Sequence, residues 1–257
     1  MNQRIGAIVL AAGRGTRLNS NTINKVALPF RGKPIIEYAV DVMEAVAEPV
    51  VVVVGAFAES VKDVLKGHPA VVFAMQDEQL GTGHAARVGF EALEPNLVDS
   101  VFIGYGDHMM FYKPDTILNL RDTHVSTHAD LSLLTTIADD PESLAWGHII
   151  RDKNGKVDGI VEHKDATEEQ KHIKEVNPGF YLCSTAFLRE SLPNLHKSET
   201  TGEYYLTELI QIAVKRRLTV NGVAVPFQEV GIGINRKEEL EQSQKLHETV
   251  RTGENTV

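Results

Sequence analysis

The first half of the chain alternates short β-branched runs with amphipathic stretches, and this alternation limits its fold more than any other feature. Residues 5–10, 50–54, 71–75 and 101–105 read as strands, and residues 34–47, 58–66, 82–93 and 114–124 read as helices that follow them in turn. A helix-length segment between strands is far too long for a hairpin. Successive strands must therefore run parallel through right-handed crossovers, with helices on both faces of the sheet. Past Asp130 the pattern changes. Residues 131–137 read as a further strand, and the turn Asp152-Lys153-Asn154-Gly155 joins 147–150 to 157–161 as a hairpin. Strands over 179–184 and 218–225 and helices over 205–216 and 236–249 complete the chain. The expected fold class is α/β, a Rossmann-like three-layer αβα arrangement around a mostly parallel central sheet, with the hairpin added to it. No internal repeat, low-complexity block or Pro/Gly/Ser linker interrupts residues 1–257, so a single domain is expected.

Charge and composition narrow the ligand class. A net charge of −9 argues against a general nucleic-acid binder, which needs a basic face to neutralise phosphates. The charge is unevenly spread. Residues 1–36 hold Arg4, Arg14, Arg17, Lys25, Arg31 and Lys33 and no acidic side chain, whereas residues 37–257 carry 20 basic against 35 acidic ones. A cationic segment on an acidic chain suits a small polyanion. The only cysteine, Cys183, lies in the apolar run Phe180-Tyr181-Leu182-Cys183, which fits a small buried residue and a reducing compartment. No stretch approaches the roughly 18 to 20 apolar residues of a membrane span. The start, Met1-Asn2-Gln3-Arg4, runs into a strand without a signal peptide, so a cytoplasmic protein with no membrane partner is expected. The sequence leaves the oligomeric state open.

Chemistry-bearing residues fall at the ends of the expected strands. The first strand ends in Leu10-Ala11-Ala12-Gly13-Arg14-Gly15-Thr16-Arg17-Leu18. Small residues there let backbone N–H groups approach an anion, and Arg14 and Arg17 add countercharge. Two familiar phosphate loops are excluded. The dinucleotide fingerprint needs a glycine where Leu18 stands, and the Gly-Lys-Ser/Thr of a Walker A loop is absent. By itself such a loop is equally a tight strand-to-helix turn. Gln76 follows the third strand, and Asp107 follows the fourth in Gly104-Tyr105-Gly106-Asp107. In an open parallel sheet the carboxyl ends of the strands form the ligand crevice, so all three features should open onto one cleft. A carboxylate there, opposite a triphosphate, is a natural Mg²⁺ ligand; taken alone it is better explained as a helix cap or turn former.

Five runs of sequence then carry a resemblance. These are the loop from Leu10 to Arg17, Gln76-Asp77-Glu78-Gln79-Leu80-Gly81-Thr82-Gly83-His84-Ala85, Tyr105-Gly106-Asp107, Ile160-Val161-Glu162-His163-Lys164-Asp165-Ala166-Thr167, and Gly202-Glu203-Tyr204-Tyr205-Leu206-Thr207. In this order, over nearly the whole chain, they resemble the uridylyltransferase domain of the bacterial bifunctional UDP-N-acetylglucosamine pyrophosphorylases, within the sugar-1-phosphate nucleotidyltransferase superfamily. The resemblance implies a nucleotide-diphospho-sugar transferase fold with the hairpin at the sugar site. It also implies a Mg²⁺-dependent reaction of two small partners, UTP and N-acetylglucosamine 1-phosphate, giving UDP-N-acetylglucosamine, a cell wall precursor, and pyrophosphate.

The same resemblance implies roles for individual positions. Leu10, Ala11, Ala12, Gly13, Gly15 and Thr16, with Gln76, Gln79, Gly81, Thr82, Tyr105 and Gly106, would hold the nucleotide, the uracil lying near Gln76 and Gly81. Arg17, Lys25 and Asp107 would be the catalytic set, Lys25 contacting phosphate and Asp107 binding metal. Asn235, in Gly233-Ile234-Asn235, would share the metal and border the sugar, which Gly147, Glu162 and Asn177 hold with Tyr205 and Thr207 close by. The residue types agree: a carboxylate and an amide oxygen are hard ligands, and Glu162 and Asn177 offer acceptors and a donor for sugar hydroxyls or an acetamido N–H.

This chain also departs from the family pattern. Asp107 is followed by His108-Met109-Met110 rather than small or apolar residues and a proline, Asn24 stands before Lys25 where proline is common, and Trp146 replaces a tyrosine before Gly147. His108 is expected either to approach the phosphates or to cap a turn. The hexapeptide repeats of the family's acetyltransferase β-helix do not occur in these residues. His124 and His128 lie four apart on an expected helix, but their Thr and Asp neighbours suggest a wet surface rather than a metal site.

Two other functions compete with nucleotidyl transfer, besides transfer to a different sugar 1-phosphate. A metal-dependent glycosyltransferase would usually carry an Asp-x-Asp pair, whereas Asp107-His108-Met109 has one carboxylate. A nucleotide-sugar sensor would not need Arg17, Lys25, Asp107 and Asn235 together. Pyrophosphate release separates all three.

Overall fold

The computed structural model describes residues 3–15, 22–94 and 96–252. Its strands are β1 (Ile5–Ala11), the short pair β2 (Pro29–Phe30) and β3 (Lys33–Pro34), β4 (Val50–Val54), β5 (Val71–Met75), β6 (Ser100–Tyr105), β7 (Leu131–Ile137), β8 (Gly147–Arg151), β9 (Val157–Val161), β10 (Glu175–Asn177), β11 (Phe180–Ser184) and β12 (Val220–Ala224). All but β2 and β3 form one sheet in the order β5-β4-β1-β6-β11-β7-β10-β8-β9, with β12 alongside β7. The four strands expected to be parallel are so: β4 and β6 flank β1, and β5 lies outside β4. β11 then runs antiparallel to β6 and β7, and β8 and β9 form the expected hairpin, with an irregularity at Ile150/Arg151.

Burial explains the parallel half. β1 and the all-valine β4 are buried throughout, because helices cover both faces. Helices α1 (Ile35–Glu44), α2 (Ala58–Val64) and α4 (Pro114–Ser126) pack on one face, against Ile5, Ala7 and Val9. The other face, carrying Ile8 and Leu10, is covered by α3 (Thr82–Ala92) and the helices Thr185–Ser191 and Glu208–Lys215. Gly89 lets α3 sit close to the sheet: a Cβ there would lie 2.6 Å from Ile8 and 2.8 Å from Val53. Cys183 is buried and free, as its apolar run suggests.

The register sets the site. Leu10 pairs with Val53 and with Tyr105, and Val54 pairs with Met75. The loops after β1, β4, β5 and β6 therefore leave from one edge of the sheet. β10 was not expected from the sequence. It has only three residues and ends at Pro178, too short to show a period of two. The expected strand 218–225 and helix 205–216 are trimmed to β12 and Glu208–Lys215. Among the described residues no helix is long and apolar enough to cross a membrane.

Candidate active site

A cleft of about 620 Å³ runs along the edge where the parallel strands end. Most of the residues singled out by sequence line it: Leu10, Ala11, Ala12, Gly13 and Gly15 from the first loop, Lys25, Gln76, Gln79, Gly81, Thr82, Tyr105 and Asp107, then Gly147, Glu162, Asn177, Thr207 and Asn235. Gly106 is not among the lining residues. Its N–H donates to the Leu10 carbonyl at 2.9 Å, and a Cβ there would meet Ile36 at 2.8 Å, so it closes the packing beneath the cleft. Tyr205 faces an adjoining groove of about 380 Å³, whose wall toward the main cleft is Glu162 and Thr207. Thr16 and Arg17 lie outside the described residues.

One end of the cleft gathers charge. Lys25 opens the short 3-10 turn Lys25–Ala27, and its ammonium donates to Asp107 Oδ2 and, at 2.7 Å, to Asn235 Oδ1. Both charged side chains are largely enclosed, 12% exposed for Lys25 and 16% for Asp107, so their attraction is poorly screened. The segment bearing Asn235 is fastened from two sides. The Ile234 N–H donates to the Asp107 carbonyl at 2.9 Å, and Glu239 Oε2 accepts from the backbone N–H groups of Asn235 at 2.6 Å and Arg236 at 3.0 Å. Asp107 and Asn235 present a carboxylate and an amide oxygen, the hard donors a small divalent cation takes, and the ammonium already between them shows that the pair accommodates positive charge. No group of three or more His, Cys, Asp or Glu side chains that could hold a metal ion converges among the described residues.

Asn24 builds the floor of this end. It is fully buried, and its Nδ2 lies within hydrogen-bond distance of the carbonyls of Ala11 (3.1 Å), Gly13 (3.1 Å) and Ala56 (2.8 Å), while Oδ1 accepts from the Val26 N–H at 3.1 Å. One carboxamide thus joins the glycine loop, the loop after β4 and the turn that carries Lys25. Proline, common here in the family the sequence resembles, has no side-chain amide to do this.

At the opposite end the groups are neutral amides. Gln76 is 3% exposed, and its Nε2 lies 3.2 Å from the Gly81 carbonyl and 3.0 Å from His84 Nδ1. Gly81 has φ +107°, and a Cβ there would stand 2.6 Å from the Tyr204 carbonyl, so only glycine fits. The Tyr204 N–H donates to the Leu80 carbonyl and the Gly83 N–H to the Tyr204 carbonyl, both at 2.8 Å, and the Leu206 N–H reaches Thr82 Oγ1 at 3.0 Å. These bonds stitch the loop after β5 to residues 203–207. Arg14 Nε reaches across to Gln79 Oε1 at 3.1 Å.

The third region lies over β8, β9 and β10. Thr207 Oγ1 donates to Glu162 Oε1, and burial raises the Glu162 carboxyl above the usual carboxylate range, the Thr207 bond opposing it. Asn177 is held at both ends, donating to the Tyr181 hydroxyl at 2.6 Å and accepting from the Gly179 N–H at 2.9 Å. Gly179 has φ +82° and lies flat under the Tyr105 ring, which a Cβ would strike at 2.1 Å. Trp146 borders the cleft beside His108, ring centroids 4.6 Å apart, and stacks on Phe227 at 6.2 Å. His108 lines the cleft next to Asp107. Burial depresses its pKa, more than the neighbouring Asp107 raises it, and its Nε2 faces the Gly231 carbonyl at 3.3 Å.

Asn24 and His84 are the site-building residues that sequence reasoning passed over. Asn24 was visible as a departure from the family pattern, but its partners lie in loops the pattern does not bring together. His84 had only one signal, its place two residues after the expected start of a helix. Gly233, beneath His108, and Glu203 also line the cleft without having been singled out.

The chain is 36% identical to the Bifunctional protein GlmU of Geobacillus sp. (strain WCH70), over 93% of this chain and 51% of that protein. It is 40% identical to the Bifunctional protein GlmU of Caldicellulosiruptor saccharolyticus, over 96% of this chain and 53% of that one. The chain therefore spans about half the length of the relatives it matches. Among solved structures, UDP-glucose pyrophosphorylase complexed with UDP-glucose superimposes with a TM-score of 0.77 at 20% identity, covering 96% of this chain and all of that one, a likeness of fold. The apo form of UDP-glucose pyrophosphorylase gives 0.76 at 18% identity, over 96% of this chain and 99% of that one. The profile of the MobA-like NTP transferase domain matches residues 7–198, the segment that supplies the glycine loop, Lys25, Gln76, Asp107 and strands β8 to β10, and the chain belongs to that family.

Proposed function

We propose that this chain is a uridylyltransferase that joins UTP to N-acetylglucosamine 1-phosphate, releasing pyrophosphate and forming UDP-N-acetylglucosamine. The observation that carries this reading is the order of groups along one cleft. Neutral amides stand at one end, a lysine against a carboxylate and an amide oxygen at the other, and a wall of hydrogen-bonding side chains over β8 to β10. A nucleotide sugar has the same order of base, phosphates and sugar. The relatives' bifunctional proteins and the UDP-glucose complex support the reading.

In the proposed step an oxygen of the sugar phosphate attacks the α-phosphorus of UTP in line. A P–O bond forms there, the bond from the α-phosphorus to the bridging oxygen breaks, and pyrophosphate leaves with the electron pair. The attacking phosphate is already ionised at neutral pH, so no proton need be removed and no Ser or Cys nucleophile is called for. The protein's task is to align two mutually repelling anions and offset their charge. The glycine loop offers backbone N–H groups, and Lys25 transfers its bonds from Asp107 and Asn235 to phosphate oxygens. Those two residues would hold Mg²⁺, which neutralises phosphate charge and orients the reacting groups. Arg17 is assigned to the departing pyrophosphate. Glu162, Thr207 and Asn177 orient the sugar, with the Gly147 backbone beside it.

Pyrophosphate release across a panel of nucleoside triphosphates and sugar 1-phosphates tests the proposal. UTP with N-acetylglucosamine 1-phosphate should be the best pair. Release of a nucleoside diphosphate from a nucleotide sugar instead would make the chain a glycosyltransferase, and tight binding without any product would make it a sensor.

A further inference from the structure

We infer that His148 and His163 are positioning residues: behind the wall assigned to the sugar, their imidazoles form one hydrogen-bonded pair that holds Glu162 and Asn177 at the spacing the sugar phosphate requires. This rests on the proposed use of a sugar 1-phosphate. Neither imidazole is among the residues that line the cleft. Alternation along β8 accounts for that: Ile149 joins the core that contains Leu206 and Leu209, next to Thr207, and His148 points to the opposite face of the sheet. His148 stands in the middle of a row, paired with Val161 of β9 and Val176 of β10. Each member of the row has a cleft-lining residue as its neighbour in the chain, for Glu162 follows Val161, Gly147 precedes His148 and Asn177 follows Val176.

The protons of the pair are fixed by a group that can only accept. His148 is fully buried, and its Nδ1 lies 2.9 Å from the Ile173 carbonyl. That nitrogen therefore carries the proton, and Nε2 of the neutral ring is bare. His163 Nδ1, 3.1 Å from this Nε2, must then be the donor. One buried ring thus ties β8 both to the turn after Glu162 and to the segment that leads into β10. Glu142, Glu168 and Lys171 stand around His163, and Glu162 is near enough to His148 to interact with it. His172 is taken up with Glu142 at 2.9 Å. A first added proton leaves the bond in place, because His148 then donates from Nε2 and His163, its own proton moved to Nε2, accepts. A second sets N–H against N–H and breaks it. Burial, and after it the neighbouring His148, depress the His163 pKa, so the second proton arrives only below the ordinary histidine range. The pair is intact at neutral pH, and acid releases Glu162 and Asn177 from their spacing.

The test measures kcat and KM for N-acetylglucosamine 1-phosphate, and KM for UTP, from about pH 8 to about pH 5 in the unaltered chain, in His163→Ala and in His163→Asn. The alanine variant loses the bond and should raise KM for the sugar phosphate about 5-fold at neutral pH, the worth of one hydrogen bond, with kcat and KM for UTP within about 2-fold. An asparagine carboxamide can donate to His148 from Nδ2 or, turned over, accept from it. The asparagine variant should therefore match the unaltered chain at neutral pH and lack its loss in acid. Ionisation of the substrate's own phosphate is common to all three proteins and cancels in the comparison. Between neutral pH and about pH 5, KM of the unaltered chain should rise about 5-fold more than that of the asparagine variant. An unmoved KM in the alanine variant, an equal rise in its KM for UTP, or an asparagine variant as impaired as the alanine one overturns the pair while leaving uridylyl transfer standing. Parallel acid limbs do the same, and if the alanine variant does not fold, the asparagine variant and the acid limbs decide alone. Absence of pyrophosphate from the unaltered chain with any sugar 1-phosphate overturns uridylyl transfer and the positioning role with it.

Discussion

The ends of the cleft that the proposal assigns to phosphate and to sugar are built on different principles. At the phosphate end Lys25 and Asp107 meet as opposite charges, with Asn235 completing the group, and these residues come from three separate loops. At the sugar end Glu162 meets Thr207, and Asn177 meets Tyr181 and Gly179, all within or beside the sheet, and burial works against the charge on the one carboxylate. Charged partners held by loops can exchange one another for a substrate. Partners hydrogen-bonded to one another within and beside the sheet form a shape that a substrate must match. The phosphate end should therefore govern rate, and the sugar end should govern choice of substrate.

The strongest challenge to this division is Asp107→Asn, which removes one negative charge without changing volume. Turnover should fall at least ~100-fold while the fold remains intact, measured as pyrophosphate release at limiting Mg²⁺. Near-normal rates would remove the distinction between the two ends. Asn24→Ala asks whether the phosphate end depends on its buried support. Three carbonyls would lose their shared donor and the Val26 N–H its acceptor, so denaturant unfolding should show a loss of about 2–3 kcal/mol. A loss within ~0.5 kcal/mol, as for ordinary surface changes, would show that the glycine loop holds itself.

Glu162→Gln sharpens the other side. The amide keeps the shape and can still accept from Thr207, so kcat/KM for the sugar phosphate should drop about 10-fold, with kcat much less affected. A fall confined to kcat would move Glu162 from orienting the sugar to the chemistry itself.

The smallest effect at neutral pH concerns a control outside the cleft. Burial pushes His124 down from 6.5 to about 4, in contact with Ser132 at 2.9 Å. Its folded pKa lies below its unfolded one, so its contribution to stability is complete above about 6.5 and is lost as pH falls toward about 4. The thermal midpoint of the unaltered chain should decline over that window more steeply than that of His124→Gln. Parallel curves would exclude His124 as the source.

The parallel half of the fold was legible because β1, β4 and β6 are buried on both faces and, with the edge strand β5, read as apolar runs, and its ligand-facing residues necessarily follow strand ends. Gln76 and Asp107 are placed by that rule alone. The sugar wall was legible only through resemblance, since antiparallel strands as short as β10 leave no periodic mark. His124 shows a different limit. Its Thr and Asp neighbours suggested water, yet it is 1% exposed, because Ser100 and Ser132 from two strands close over it. Its supposed partner His128 lies beyond the end of α4 with φ +51°. Burial of a polar side chain depends on residues distant in sequence, and so do the roles of Asn24 and His84.

The bond between Lys25 and Asn235 spans 210 residues of sequence. A ribosome adding roughly 5–20 residues per second needs roughly 10–40 s to pass from one to the other. During that interval the nascent chain can pair β1, β4, β5 and β6 and display its glycine loop, while Lys25 and Asp107 still lack the residue that completes their group. The proposed ligand can therefore stabilise the chain fully only once Asn235 has been made, and not during the early steps of folding.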